Sequence, residues 1–200
     1  MPVLNVRRLR LAIERYASAL VVVAITVYCI YFSWFAVLNH HTYHTYAYDL
    51  GIYMQSLWST IHGHGLFFTT LCAGSRFAYH FEPVLFGVLP LYAVFPRAET
   101  LLVLQTVMLG AGAIPVYLLA RSHLGRGAGL GFAVLYLLSP AVHSVNSFDF
   151  HATALAVPLL LSAHYCLDSG RLRLGLVFAL IALMCREDVS LVVFLLGVYW

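Results

Sequence analysis

The sequence predicts an all-α, polytopic transmembrane helix bundle of about five to six spans, with surface or re-entrant helices in a long first outer loop. Three observations carry that prediction. Hydrophobic residues make up 62% of the 200-residue chain, only 10% are charged, and the mean hydropathy is +0.88. A soluble domain carries about 25% charged residues, so a chain this poor in charge cannot coat its own surface in water. Apolar runs of the length that crosses a bilayer as a helix, about 20 residues, recur along it. The 11 basic residues are all Arg, and they stand beside apolar runs. That placement sets membrane orientation and argues against nucleic acid as a partner.

Residues 1–16 form a basic start with Arg7, Arg8, Arg10 and Arg15. The apolar run Ala17–Leu38 follows (residues 17–38) and is longer than the 7–15-residue core of a signal peptide. It is expected to be an uncleaved first span, with the N-terminus inside. Residues 39–99 read as an outer loop rich in His and in aromatic rings with polar tips, which favour the membrane–water interface. Within it, Leu50–Ile61 is suited to an amphipathic surface helix. Pro83–Phe95 is apolar but short, contains Pro90 and ends at Pro96, which fits a re-entrant or interfacial helix.

Residues 100–200 read as the remaining bundle. Thr100–Ala120, Ala128–Val145 and Ala152–Leu167 are expected spans, separated by Arg121–Gly127 and by the brief polar turn Asn146–His151. A last apolar stretch from Leu174 is interrupted by Arg186-Glu187-Asp188 and ends at Trp200, as expected for the N-terminal part of something longer or for a truncated reading frame. The cysteines Cys29, Cys72, Cys166 and Cys185 form no CxxC, so neither a disulfide framework nor a zinc site is expected.

Sidedness turns on Pro83–Phe95. If it does not cross, Arg7, Arg8, Arg10, Arg15, Arg121, Arg126, Arg171 and Arg173 share the cytoplasmic side, and Arg76, Arg97 and Arg186 lie outside. If it crosses, the arginines divide almost evenly. The positive-inside bias favours the first arrangement. Asp49, His80, Glu82, Asp149, His151, Glu187 and Asp188 then all face the outer side.

These residues are the candidate chemistry. Asp49 precedes the surface helix, as a cap or solvated loop acid, or as a general base or metal ligand. His80 and Glu82 alternate along a chain that Pro83 biases towards extended, so they point the same way. Asp149 and His151 repeat that alternation in a tight turn. Three charges at Arg186-Glu187-Asp188 interrupt an apolar run and need water, pairing or a cavity. His40, His41 and His44 are a weaker metal candidate, and His123 and His164 read as structural. No P-loop, GxGxxG, HExxH or GxSxG with supporting context is present.

Tyr48-Asp49-Leu50-Gly51-Ile52, Gln55-Ser56-Leu57-Trp58, His80-Phe81-Glu82-Pro83, Asp149-Phe150-His151 and Arg186-Glu187-Asp188 resemble a bacterial polytopic membrane family, catalogued as domain of unknown function 2079. Leu104-Gln105 and Pro115–Arg121 fit as well, and the resemblance covers roughly residues 45–200. The family layout is similar to that of the GT-C membrane glycosyltransferases. That likeness implies Asp49 and Asp149 as catalytic acids of the first and second outer loops. It implies a polyprenyl-phosphate sugar donor on the outer side of a bacterial cytoplasmic membrane. His80, Glu82, His151, Arg186, Glu187 and Asp188 would be substrate or phosphate contacts, and a divalent metal ion is a possible cofactor. A transporter or channel, or a scaffold without chemistry, is the alternative.

Overall fold

The computed structural model describes residues 2–70 and 74–200, with side chains described from Glu14 onward except that of Ala47. Cys72 and the side chains of Arg7, Arg8 and Arg10 lie outside that description. Helix α1 runs Pro2–His41, and its Glu14–His41 part is long and apolar enough to cross a membrane. Helices α4 (Ala98–Ala111) and α5 (Ala113–Leu124) form a second such rod, Ala98–Leu124, across Gly112. Both extend the expected spans at each end.

The expected span Ala128–Val145 is not one straight helix. Helices α6 (Arg126–Leu137) and α7 (Pro140–Ser147) meet at a bend of 41°. Pro140 has no N–H to continue the helical ladder and biases Ser139 away from the α region, and Ser139 is extended, with ψ 127°. The polar turn is correspondingly shorter than expected, because α7 extends to Ser147. Four shorter apolar helices complete the bundle: α3 (Leu85–Val94), α8 (Ala152–Asp168), α9 (Leu172–Leu183) and α10 (Val189–Tyr199). By length and composition alone, two helices can cross a membrane, or three if the bent pair is one span.

Polar contacts define two ends of the bundle. At one, Glu14 Oε1 accepts the Gly127 N–H at 3.2 Å and His123 Nε2 meets Asp168 at 2.9 Å. At the other, His41 at the close of α1 pairs with Glu99 at the start of α4, 3.0 Å away. Helix α3 has a contact to another element beside each terminus. Just before it, the Val84 N–H donates to the Met184 carbonyl at 2.8 Å; just after it, α4 begins beside His41. Its ten residues rise about 15 Å, half of a roughly 30 Å hydrocarbon core.

Between apolar helices in lipid, association rests on close packing more than on the hydrophobic effect, and small residues permit it. Helix α1 packs on α4 and α6, α5 on α6, and α8 on α9. A Cβ on Gly110 would lie 2.7 Å from Cys29 Sγ, and one on Gly129 would lie 2.9 Å from the Tyr117 carbonyl oxygen. Gly129→Ala therefore pushes against backbone. It is expected to destabilise the fold by about 1–3 kcal/mol, read as a lower melting temperature in detergent. Gly131→Ala on the same helix meets nothing within 4 Å and is expected to leave melting unchanged or slightly raised.

The first loop is built on α2 (Ala47–Ile61). It buries Leu50, Tyr53 and Leu57 against Leu85, Tyr92, Leu101 and Phe150, and exposes Tyr48 and Trp58, as an amphipathic surface helix should. Its polar face holds a two-stranded antiparallel hairpin, β1 (Phe68–Thr69) with β2 (Gly74–Ser75). Gln55 Oε1 accepts from Thr69 Oγ1 at 2.6 Å and from the Thr70 N–H at 2.9 Å, while Ser59 Oγ donates to the Phe68 carbonyl. A one-turn 3-10 helix, Arg76–Ala78, leads on to His80 and Glu82.

Candidate functional site

The site is assembled on α4 by a residue with no charge. Gln105 is fully buried, and its Nε2 donates towards the carbonyls of Val145, Phe148 and Asp149 at 3.1, 3.3 and 3.4 Å. Its Oε1 accepts the His151 N–H at 2.9 Å. One amide thus braces the turn that carries Asp149, its two N–H hydrogens shared among three carbonyls and its oxygen holding the His151 N–H. Thr106 Oγ1, one residue on, donates to Asn146 Oδ1 at 2.9 Å. The turn between α7 and α8 is therefore a rigid shelf rather than a slack connection.

Asp149 stands on this shelf, 2% exposed, against the start of α2. Burial raises its carboxyl above the ordinary Asp value. The N–H groups of Tyr46 and Leu50 pull the other way, and the neighbouring charge of Asp49 adds to the rise. The two acids predicted from separate outer loops therefore meet at one end of the bundle, close enough to feel each other's charge.

A cleft of about 400 Å³ opens beside Asp149, lined by Ser144, Phe148, His151, Thr153 and Arg186 among others. Among the described residues, three buried polar atoms on this cleft have no hydrogen-bond partner, Asp149 Oδ2, Thr153 Oγ1 and Arg186 Nε, as do Tyr28 Oη, Ser56 Oγ and Asn146 Nδ2, which do not line it. The nearest carboxylate oxygen to Arg186 Nε, Asp188 Oδ2, is an ion-pair neighbour at 3.5 Å, too long for a hydrogen bond. Each unpartnered atom costs about 1–3 kcal/mol unless something supplies the bond. The three in this cleft are an acid, a hydroxyl and a guanidinium.

The other candidate residues are engaged with one another. Glu82 is fully buried; Arg76 Nε donates to its Oε2 at 2.6 Å and Tyr53 Oη to its Oε1 at 2.9 Å. The Arg76 guanidinium also lies 3.8 Å over the Tyr53 ring, and Tyr53 Oη accepts the Ala152 N–H at the start of α8. This network ties the first loop, α2 and α8 together beneath the cleft. His80 Nδ1 donates to Glu187 Oε1 at 2.8 Å, and the Phe81 N–H to Glu187 Oε2 at 3.0 Å. His151 Nδ1 lies 2.9 Å from the Asp149 carbonyl. His40 and His44 bond to Thr45 and Thr42. Among the described residues, no three His, Cys, Asp or Glu side chains gather as metal ligands.

The His80–Glu187 clasp holds the loop that carries Arg186. The hydrogen bond from His80 draws the Glu187 carboxyl down to about 2. The clasp is thus complete above the ordinary Glu range and is lost only as pH falls towards about 2. Both side chains are partly exposed, so the pair is worth about 0–1 kcal/mol. Glu187→Ala is expected to speed hydrogen exchange at the Phe81 amide while leaving the melting temperature nearly unchanged, both measured on the same sample.

The family model for a predicted membrane protein, DUF2079, matches residues 39–200 and so spans the whole site. The chain belongs to this DUF2079 family. Neither a curated protein nor a solved structure matches it. The DUF2079 match begins at Asn39, the close of α1, and takes in both acids, the clasp and the cleft. The sequence alone gives Gln105 no role and does not pair Arg76 with Glu82. The signals were a lone amide inside an apolar span and a lone Arg six residues before a Glu.

Proposed function

We propose that this DUF2079 chain carries the acid-bearing end of a membrane glycosyltransferase with a GT-C-like layout, which takes a sugar from a polyprenyl-phosphate donor. The observation that supports it is the cleft in which Asp149, Thr153 and Arg186 leave polar atoms unpartnered beside a second acid, Asp49. Arg186 binds the donor phosphate through charge-assisted hydrogen bonds. Asp149 accepts the proton of the acceptor hydroxyl as its oxygen bonds to the anomeric carbon. The sugar–phosphate bond breaks, and its electron pair leaves on the phosphate beside Arg186. A carboxyl held above the ordinary Asp value suits that proton transfer better than an ordinary one.

Two neighbouring carboxylates also fit a magnesium-class ion, which keeps several waters and takes one or two protein carboxylates. As the alternative to the base role of Asp149, Asp49 and Asp149 would hold it, and it would neutralise the donor phosphate. Glu82, Glu187 and His80 act as supports under this reading, and His151 and Asp188 flank the cleft mouth and Arg186. The Arg-rich end lies in the cytoplasm of a bacterial cell by the positive-inside bias, which puts the cleft on the outer face. A transporter needs such charges near mid-bilayer and open to alternate sides, and these gather at one end. A scaffold leaves the three unpartnered atoms without a reason.

Membranes carrying the full-length protein are the test, with radiolabelled sugar on polyprenyl phosphate as donor. Label is expected to leave the lipid fraction only where the protein is present. Equal loss from membranes lacking it would overturn the transferase reading.

A further inference from the structure

The formal charge of +3 hides an uneven division between the two ends of the bundle. Of the eight acids, only Glu14 and Asp168 belong to the end away from the cleft, and both are already engaged. Glu14 holds the Gly127 N–H, and Asp168 meets His123 at 2.9 Å. The arginines at this end have no such partner. Among the described residues, no acid pairs with Arg15, Arg121, Arg126, Arg171 or Arg173, and no hydrogen bond engages their side chains.

The His123–Asp168 bond does more than use up an acid. His123 stands at the close of α5 and Asp168 is the last residue of α8, so the bond joins the α5–α6 turn to the α8–α9 turn, with α5 packed on α8. Arg121 and Arg126 lie either side of His123, and Arg171 and Arg173 follow Asp168. Arg126, Arg171 and Arg173 are exposed, and Arg121 is half-buried. Membrane orientation needs arginines on one side. It does not need four of them about one bond with no free counterion among them.

Depth and apolar neighbours indicate what supplies the countercharge. The rod Ala98–Leu124 has 27 residues, a rise of about 40 Å, which matches a bilayer with its headgroup layers rather than its roughly 30 Å core. Its last turn, with Arg121 and Leu124, therefore reaches the headgroup layer. Leu124 and Leu172 stand among the arginines and are 62% and 60% exposed. A phospholipid offers a phosphate to the guanidinium fork and an acyl chain to the leucines. Nucleic acid or an acidic peptide would leave the leucines bare.

We infer that the two turns, joined by His123 and Asp168, form a binding site for the headgroups of anionic phospholipids of the phosphatidylglycerol class. Arg121, Arg126, Arg171 and Arg173 meet the phosphate, and Leu124 and Leu172 lie against the upper acyl chain. The site is separate from the Asp149 cleft and independent of the transferase reading.

The test uses the full chain in a non-ionic detergent, titrated with phosphatidylglycerol or with phosphatidylcholine of the same acyl chains, with retained lipid counted by native mass spectrometry. Phosphatidylglycerol is expected to bind at least about tenfold more tightly, since each arginine near an anionic headgroup adds to the attraction. Raising the salt from about 0.05 to about 0.5 M is expected to shrink that preference several-fold. Arg126→Gln with Arg173→Gln removes two exposed charges and leaves the other arginines to set orientation. It is expected to weaken phosphatidylglycerol binding about fivefold or more, at an unchanged melting temperature. Arg97→Gln, exposed at the opposite end, is expected to change nothing. Equal affinity for the two lipids, a preference indifferent to salt, or a folded double variant that binds as before would each overturn the proposal. So would an equal loss in Arg97→Gln, which would make net charge the cause. Displacement of the lipid by millimolar inorganic phosphate would assign the turns to a free phosphate and overturn it too. The lipid comparison and the salt series need no variant.

Discussion

Asp149→Asn is expected to lower sugar release about 10²–10⁴-fold, the usual contribution of a positioned general base. The amide keeps the shape of the carboxyl and adds a donor, but cannot take a proton from the acceptor. Gln105 holds the backbone of the turn, so the shelf survives the change and donor binding at Arg186 persists. The loss should appear in kcat rather than in KM. Asp49→Asn acts on the same acid at a distance. The Asp49 charge raises the Asp149 carboxyl, so removing it lets Asp149 ionise at lower pH. The acid limb of the pH–rate profile is therefore expected to move down. A limb that stays in place would contradict the coupling between the two acids, and full activity in Asp149→Asn would remove it as the base.

The largest effect on stability is expected at Arg76 and Glu82. The pair is buried, with Arg76 7% and Glu82 0% exposed, and it is bound by two hydrogen bonds. Removing one partner leaves a charge buried without its counterion, a loss of about 3–5 kcal/mol. Glu82→Ala and Arg76→Ala should therefore each unfold the first loop from the bundle, seen as a large drop in melting temperature in detergent. Replacing both by apolar residues of similar volume, Arg76→Met with Glu82→Leu, is expected to recover most of that loss, since a buried ion pair often contributes little net stability. Tyr53→Phe is expected to fall between them, because it loses the bonds to Glu82 and Ala152 but strands no formal charge. A double variant no more stable than the single ones would contradict this account of the pair.

Much of this architecture can be read from the chain. Low charge, long apolar runs and paired arginines point to a membrane bundle, and the short Pro83–Phe95 segment points to a helix too short to span, as α3 is. The acids were legible as a set because a sidedness argument needs only sequence order. What each acid touches was not. His80 and Glu82 share a spacing, yet one meets Glu187 across more than a hundred residues and the other meets Arg76 six residues away. Alternation gives direction along an extended chain and nothing about the wall it faces. The Ala128–Val145 run reads as one span because hydropathy is blind to a bend; Pro140 was the only local mark of it. Gln105 was invisible as an anchor because its partners are backbone carbonyls, which leave no trace in the side-chain pattern.

The proposed chemistry requires Asp49 and Asp149 to belong to one site on one side of the membrane. In a background with its native cysteines replaced, single cysteines at positions 49 and 149 can be probed in intact cells and in inverted vesicles with a membrane-impermeant maleimide. Both positions are expected to label from the side opposite the arginine-rich end, with position 149 slower because it is buried. Labelling from opposite sides would separate the acids and contradict the site.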